Sequence, residues 1–176
     1  MVLETRTREA PQVSKWSNRF IWAAIIQGLA ATILTIPIVY PWLNPPVSKV
    51  LAAGSAGTWF LLGYSMYIMV GVLGVGLTAL FYHHFEVVLG HKYTGVANMA
   101  AWVHLVLMNV GAAAATWLLM YGGYFGEAAL MAGQTSEYVH VNILSPLVNP
   151  IGALVIVTGI GVLAGGLGFL IAYMRK

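Results

Sequence analysis

The chain has 176 residues, of which 60% are hydrophobic and 7% are charged. Soluble domains carry about 25% charged residues, so the composition excludes an ordinary water-soluble globule, and it equally excludes a disordered tail, which needs low hydrophobicity and high charge. There is no Cys, which removes disulfides, thiolate metal sites, iron–sulfur clusters and a Cys nucleophile. The mean hydropathy of +0.83 points to an integral membrane protein.

The formal net charge of +3 does not indicate nucleic acid. Arg6, Arg8, Lys15 and Arg19 sit in an N-terminal tail, Arg175 and Lys176 end the chain, and only Lys49 and Lys92 lie between. No basic stripe with interleaved aromatics is there to track a phosphate backbone.

After the polar tail, residues 1–19, four apolar runs each reach the roughly 20 residues a helix needs to cross the hydrocarbon core. The first covers about 20–39 and stops at Tyr40-Pro41-Trp42, where Pro41, Pro45 and Pro46 cannot continue a helix and the aromatic pair forms an interfacial anchor. The second covers about 58–89, ending before Gly90. The third covers about 97–120, with Tyr121-Gly122-Gly123-Tyr124 as its exit. The fourth covers about 147–174, after Pro146 and before the basic terminus.

These runs are continuous rather than alternating, and only helices and closed barrels satisfy every backbone group in lipid. The expected fold is therefore an all-α four-helix membrane bundle, residues 20–176 forming one domain. A secretory signal peptide is not expected, because the tail before Phe20 is long and polar and no small-residue cleavage site follows the first run. Seven of the eight basic residues fall in the tail, the middle loop and the C-terminus. Basic loops stay in the cytoplasm, so both termini are expected on the cytoplasmic side of the plasma membrane. Gly161, Gly165, Gly166 and Gly168 in the fourth run, and Gly111 to Ala115 in the third, are small residues that let helix backbones approach closely.

Ionisable residues inside a membrane are the default functional candidates. Glu4 and Glu9 lie in the tail, Glu86 at the inner end of the second run, and Glu127 and Glu137 are assigned to an outer loop. No two carboxylates share a run, which argues against a carboxylate proton path or a di-iron site.

The five histidines carry more information. His104 lies well inside the third run. From the turn near Lys92, His84 is eight residues back and His104 twelve forward, so at 1.5 Å per residue they differ in depth by about 6 Å. An antiparallel hairpin would hold His83 or His84 near the level of His104. Two neutral imidazoles facing each other across a bundle are what a six-coordinate haem iron requires, which makes His104, then His84 or His83, candidate ligands of haem b. The plainer alternatives are a headgroup-solvated pair at His83 and His84, and a helix-to-helix hydrogen bond from His104 to a Ser or a backbone carbonyl. His140, after Glu137 and Tyr138, could hold a second haem or a metal near the outer surface, or be solvated there. His91 reads as a loop residue. Asn109, Asn142 and Asn149 could bond propionates or neighbouring helices, and Tyr64 and Tyr67 read as packing residues.

From about residue 69 to 171 the order of features resembles the last three helices of the catalytic subunit of haem-copper oxidases. The matching pieces are Thr94-Gly95, then His104-Leu105 with Met108 and Gly111, then Gly122-Gly123 with Gly126, then the fourth run from Gly152. The family carries a His-x-His pair on its third-from-last helix, and here no His occurs between Thr58 and Tyr82, while His83-His84 lacks the intervening residue. His104 matches a family position that is not a ligand, and the helices that hold copper in the family have no counterpart. The resemblance thus implies a shortened relative or accessory subunit without an oxygen-reducing centre.

Three functions are consistent with these residues. One is a small haem b protein or subunit of a respiratory electron-transfer complex, catalysing no bond-making step alone. Another is a cofactor-free structural subunit of a membrane complex. The third, a small transporter or channel, is weakened by the lack of deep acids and of an inverted repeat. The expected partners are the lipid bilayer and other membrane subunits or further copies of the chain.

Overall fold

The computed structural model describes residues 14–174. Five helices follow one another: α1 (Lys15–Val39), α2 (Val47–Ala53), α3 (Gly57–Val88), α4 (Gly95–Met131) and α5 (Ser136–Met174). All except α2 are long and apolar enough to cross a membrane. Among the described residues there is no strand. Glu4, Arg6, Arg8, Glu9, Arg175 and Lys176, on which the charge reading leans, lie outside the described residues.

α1 starts about one turn earlier than its apolar run. Ser14 occupies the N-cap and its hydroxyl accepts the Ser17 N–H at 3.1 Å, satisfying one of the donors that a helix start leaves open. The same hydroxyl donates to the Glu86 carboxylate, which also accepts the Trp16 N–H at 3.0 Å. Glu86, at the C-terminal end of α3, thereby places a negative charge at the positive end of α1. This contact ties the two helices together antiparallel, with the start of one against the end of the other.

α4 runs on to Met131, past the glycine pair expected to end it. Gly122 and Gly123 do not break the helix; they admit neighbours to its surface. A Cβ on Gly123 would fall on the Phe60 backbone nitrogen, and one on Gly122 would lie 2.7 Å from Leu147 Cδ1. Gly63 of α3 meets α4 the same way, its missing Cβ leaving room for the Thr116 carbonyl. α3 and α4 therefore touch backbone to backbone, and Glu127 lies inside α4 rather than in the outer loop to which the sequence assigned it.

α5 likewise begins earlier than expected, at Ser136, where the Thr135 hydroxyl accepts the Tyr138 N–H at 3.1 Å. Its winding widens to a π turn over His140–Leu144 and then continues through Pro146 and Pro150. A proline removes one backbone donor without forcing the chain to stop when the turn before it is loosened. α4 and α5 form the most extensive pair. Gly161 sits on Leu107 and Met108, Gly111 on Leu154 and Thr158, and Gly168 on Ala100. Gly166, by contrast, has no atom within 4 Å of where its Cβ would be.

α2, absent from the sequence reading, lies within the α1–α3 connection and buries Val47 and Val50, Val47 packing with Phe60 and Met120. The larger apolar core lies toward the end of the bundle that carries residues 14 and 174, around Trp16, Phe20, Tyr82 and Tyr93. A smaller one around Val47, Phe60 and Met120 occupies the distal end.

Gly123→Ala should lower stability in detergent micelles by about 2 kcal/mol, the usual scale for overpacking. Gly159→Ala, where nothing lies within 4 Å, should stay within about 0.5 kcal/mol of the parent. Denaturation midpoints for the two variants check this; equal midpoints would contradict packing by backbone contact.

Candidate functional site

All four long helices meet at His104. The residue lies on α4 and is 4% exposed. Its Nδ1 is 3.2 Å from the hydroxyl of Tyr82 on α3, a fully buried residue. Phe20 of α1 stacks on Tyr82 with ring centroids 4.9 Å apart and 19° between planes, and its centroid lies 5.1 Å from that of His104. From α5, Gly165 closes the remaining side: a Cβ there would overlap the imidazole itself. The glycine at this position is thus a seat for the ring.

Of the two readings that the sequence leaves open for His104, the hydrogen bond between helices is present, and its partner is a phenol rather than a Ser or a carbonyl. The other histidines lie elsewhere. His83 and His84 are exposed and line a shallow cavity of about 490 Å³ with Leu77, Leu80, Phe81 and Val88. His140 is exposed at the distal end, beside a cavity of about 370 Å³ that also touches Ser55, Trp59 and Ser136. His91 is half-buried, its ring 5.4 Å from that of Tyr173. Among the described residues no ring contact joins two histidines. Nor do three His, Asp or Glu side chains come together there as a metal site would need.

A haem requires its ligand nitrogen to face a slot wide enough for the macrocycle. Phe20, Tyr82 and Gly165 instead wall in the His104 ring, and the bundle's main cavities are lined by other residues. As packed, the surroundings of His104 do not fit the group.

Several other polar side chains also join helices. Tyr67 of α3 donates to Gln27 Oε1 of α1, and Gln27 Nε2 donates to Asn109 Oδ1 of α4 at 3.3 Å. Asn109 Nδ2 in turn donates to the Leu105 carbonyl at 2.7 Å. The Tyr64 hydroxyl shares a 2.7 Å hydrogen bond with that of Thr35. Glu127, 4% exposed, accepts the Gly57 N–H at 3.2 Å. It does for the start of α3 what Glu86 does for the start of α1. Sequence reasoning missed this role; the available signal was a lone acid in the small-residue run Gly126-Glu127-Ala128-Ala129.

Tyr93, between α3 and α4, differs from these. Its hydroxyl is buried with no hydrogen-bond partner among the described residues, and burial, then Tyr82, then the Glu86 charge push its phenol pKa far up. It stays neutral and contributes its ring, 5.1 Å from that of Tyr82.

Compared with protein-family models, with curated proteins and with solved structures, the chain gives no significant match.

Two variants separate the two tyrosines. Tyr82→Phe strips His104 of its partner and should cost about 1 kcal/mol, the scale of an interhelical hydrogen bond in a membrane protein. Tyr93→Phe removes an unsatisfied hydroxyl and should be neutral or stabilising by about 1 kcal/mol. Thermal unfolding in one detergent measures both; equal losses would refute the distinction.

Proposed function

We propose that the chain is an integral plasma-membrane protein with both termini in the cytoplasm, acting as a cofactor-free structural subunit of a larger membrane assembly. The observation that supports this reading most is the closure of its polar interior. In a membrane, side chains that do chemistry must face a cavity, a ligand or a water path. Here His104 is walled by three helices, Glu86 and Glu127 cap helix starts, and Gln27 and Asn109 bond each other. These groups hold helices together.

What the bundle offers outward is shape. Large apolar side chains such as Trp22, Met69 and Leu163 are more than 60% exposed, as a surface in contact with lipid or other membrane helices requires. Between α3, α4 and α5 runs an apolar groove of about 680 Å³, floored by Ala112, Ala115 and Gly159. Lipid tails supply no hydrophobic drive between helices, so such association depends on close fit. Other membrane subunits or a second copy of the chain are the partners this surface suits.

The electron-transfer alternative, haem b held by His104 with His84 or His83, requires Phe20 and the α5 backbone at Gly165 to draw back from the His104 ring so that a macrocycle can reach its free nitrogen. Visible absorption of the protein purified from its native membrane in mild detergent separates the two. We expect no Soret band before or after dithionite, and a native size well above the 18.9 kDa of one chain. A Soret band that vanishes in His104→Ala would establish the haem reading instead, and a colourless, strictly monomeric species would remove the assembly role.

A further inference from the structure

Among the described residues, one half-buried cation has a ring-clasped nitrogen without a hydrogen-bond partner. Arg19, one turn into α1, lies in the corner between two indoles that meet edge to face at 85° with centroids 5.3 Å apart. Its guanidinium carbon is 4.4 Å from the Trp16 ring centroid and 4.3 Å from that of Trp102. Guanidinium stays cationic under all ordinary conditions, and cation–π contact on two faces fixes where it points. Yet Nη1 is buried with no hydrogen-bond partner among the described residues. The Glu86 hydrogen bonds go to Ser14 and Trp16. Arg19 as a whole is half-buried, and a buried donor left without a partner is unfavourable.

Arg19 also lines one end of a cavity of about 440 Å³ between α1 and α4. From there the walls are apolar, formed by Trp22, Ala23 and Ile26 on one side and Leu105, Val106 and Val110 on the other. Gln27 and Asn109, which also line it, bond each other. Among the described residues the cavity is thus a trough with Arg19 at the end near the bundle's terminal face and mainly apolar walls along its length. That polarity matches one amphiphile, an anionic head at the membrane interface carrying a hydrocarbon chain that runs inward.

We infer that the α1–α4 trough is a binding site for one anionic phospholipid, its phosphate on Arg19 and one acyl chain along Ile26 and Val106. The phosphate oxygens accept from the guanidinium fork, and the chain fills a gap that α1 and α4 leave because each packs chiefly on other helices. The inference rests on the reading of the chain as a membrane protein.

The test uses the full chain reconstituted in nanodiscs of phosphatidylcholine containing a minor share of phosphatidylglycerol, followed by native mass spectrometry of the released protein. One phosphatidylglycerol is expected to stay bound. Arg19→Gln should lower the bound fraction about five-fold, the effect of one basic residue at an anionic surface. Val106→Trp, which fills the trough and leaves Arg19 intact, should lower it as well, so the result does not depend on one variant folding. Diacylglycerol, which lacks the phosphate, and inorganic phosphate, which lacks the chain, should each fail to compete. Retention unchanged in both variants, or displacement by either half-ligand alone, would overturn the site. A chain that enters nanodiscs but holds no lipid refutes this site only, whereas one that does not enter them refutes the membrane reading too.

Discussion

The constraint on which the whole arrangement depends is backbone approach at glycine. Gly63 and Gly123 bring α3 against α4, and Gly111, Gly161 and Gly168 bring α4 against α5. In water, burial of apolar surface would dominate such packing; in the membrane setting proposed for the chain that drive is missing, and helices associate through close contact and hydrogen bonds. Close contact in turn sets where polar side chains can reach. His104 meets the Tyr82 hydroxyl at 3.2 Å while Gly165 lies against its ring; a larger residue at 165 would push α5 away and open the cluster.

Two carboxylates complete the framework from opposite ends of the bundle. Glu86 caps the start of α1 and Glu127 the start of α3, each from a different helix. A helix start carries open N–H groups and a positive partial charge, so an acid supplied by a neighbour fixes both the position and the direction of the helix it caps. Neither acid needs a cation partner to do this. The remaining acid among the described residues, Glu137, is exposed at the surface.

Much of the architecture was legible in the residues. Four apolar runs became four long helices, because uninterrupted hydrophobicity over that length has one regular solution in lipid. The ends were less legible. Gly122-Gly123 and Pro146 read as stops by their intrinsic preferences, yet tertiary contact with Phe60 and a loosened turn at His140–Leu144 carry the helices through them. The depth of His104 was visible in its run; its partner was not, since a phenol at position 82 meets it only through the register of α3 on α4. Glu127 was misplaced for the same reason, because its value lies in reaching Gly57, which is 70 positions away in sequence.

The central claim is that the imidazole of residue 104 is a structural group committed to Tyr82. Its most direct measurement is the NMR spectrum of the nanodisc-embedded protein with ¹⁵N-labelled histidine, recorded while hemin is added. The His104 resonances should keep their positions and widths through the titration. Paramagnetic broadening or displacement of those resonances would show the ring free to take iron, and would contradict it.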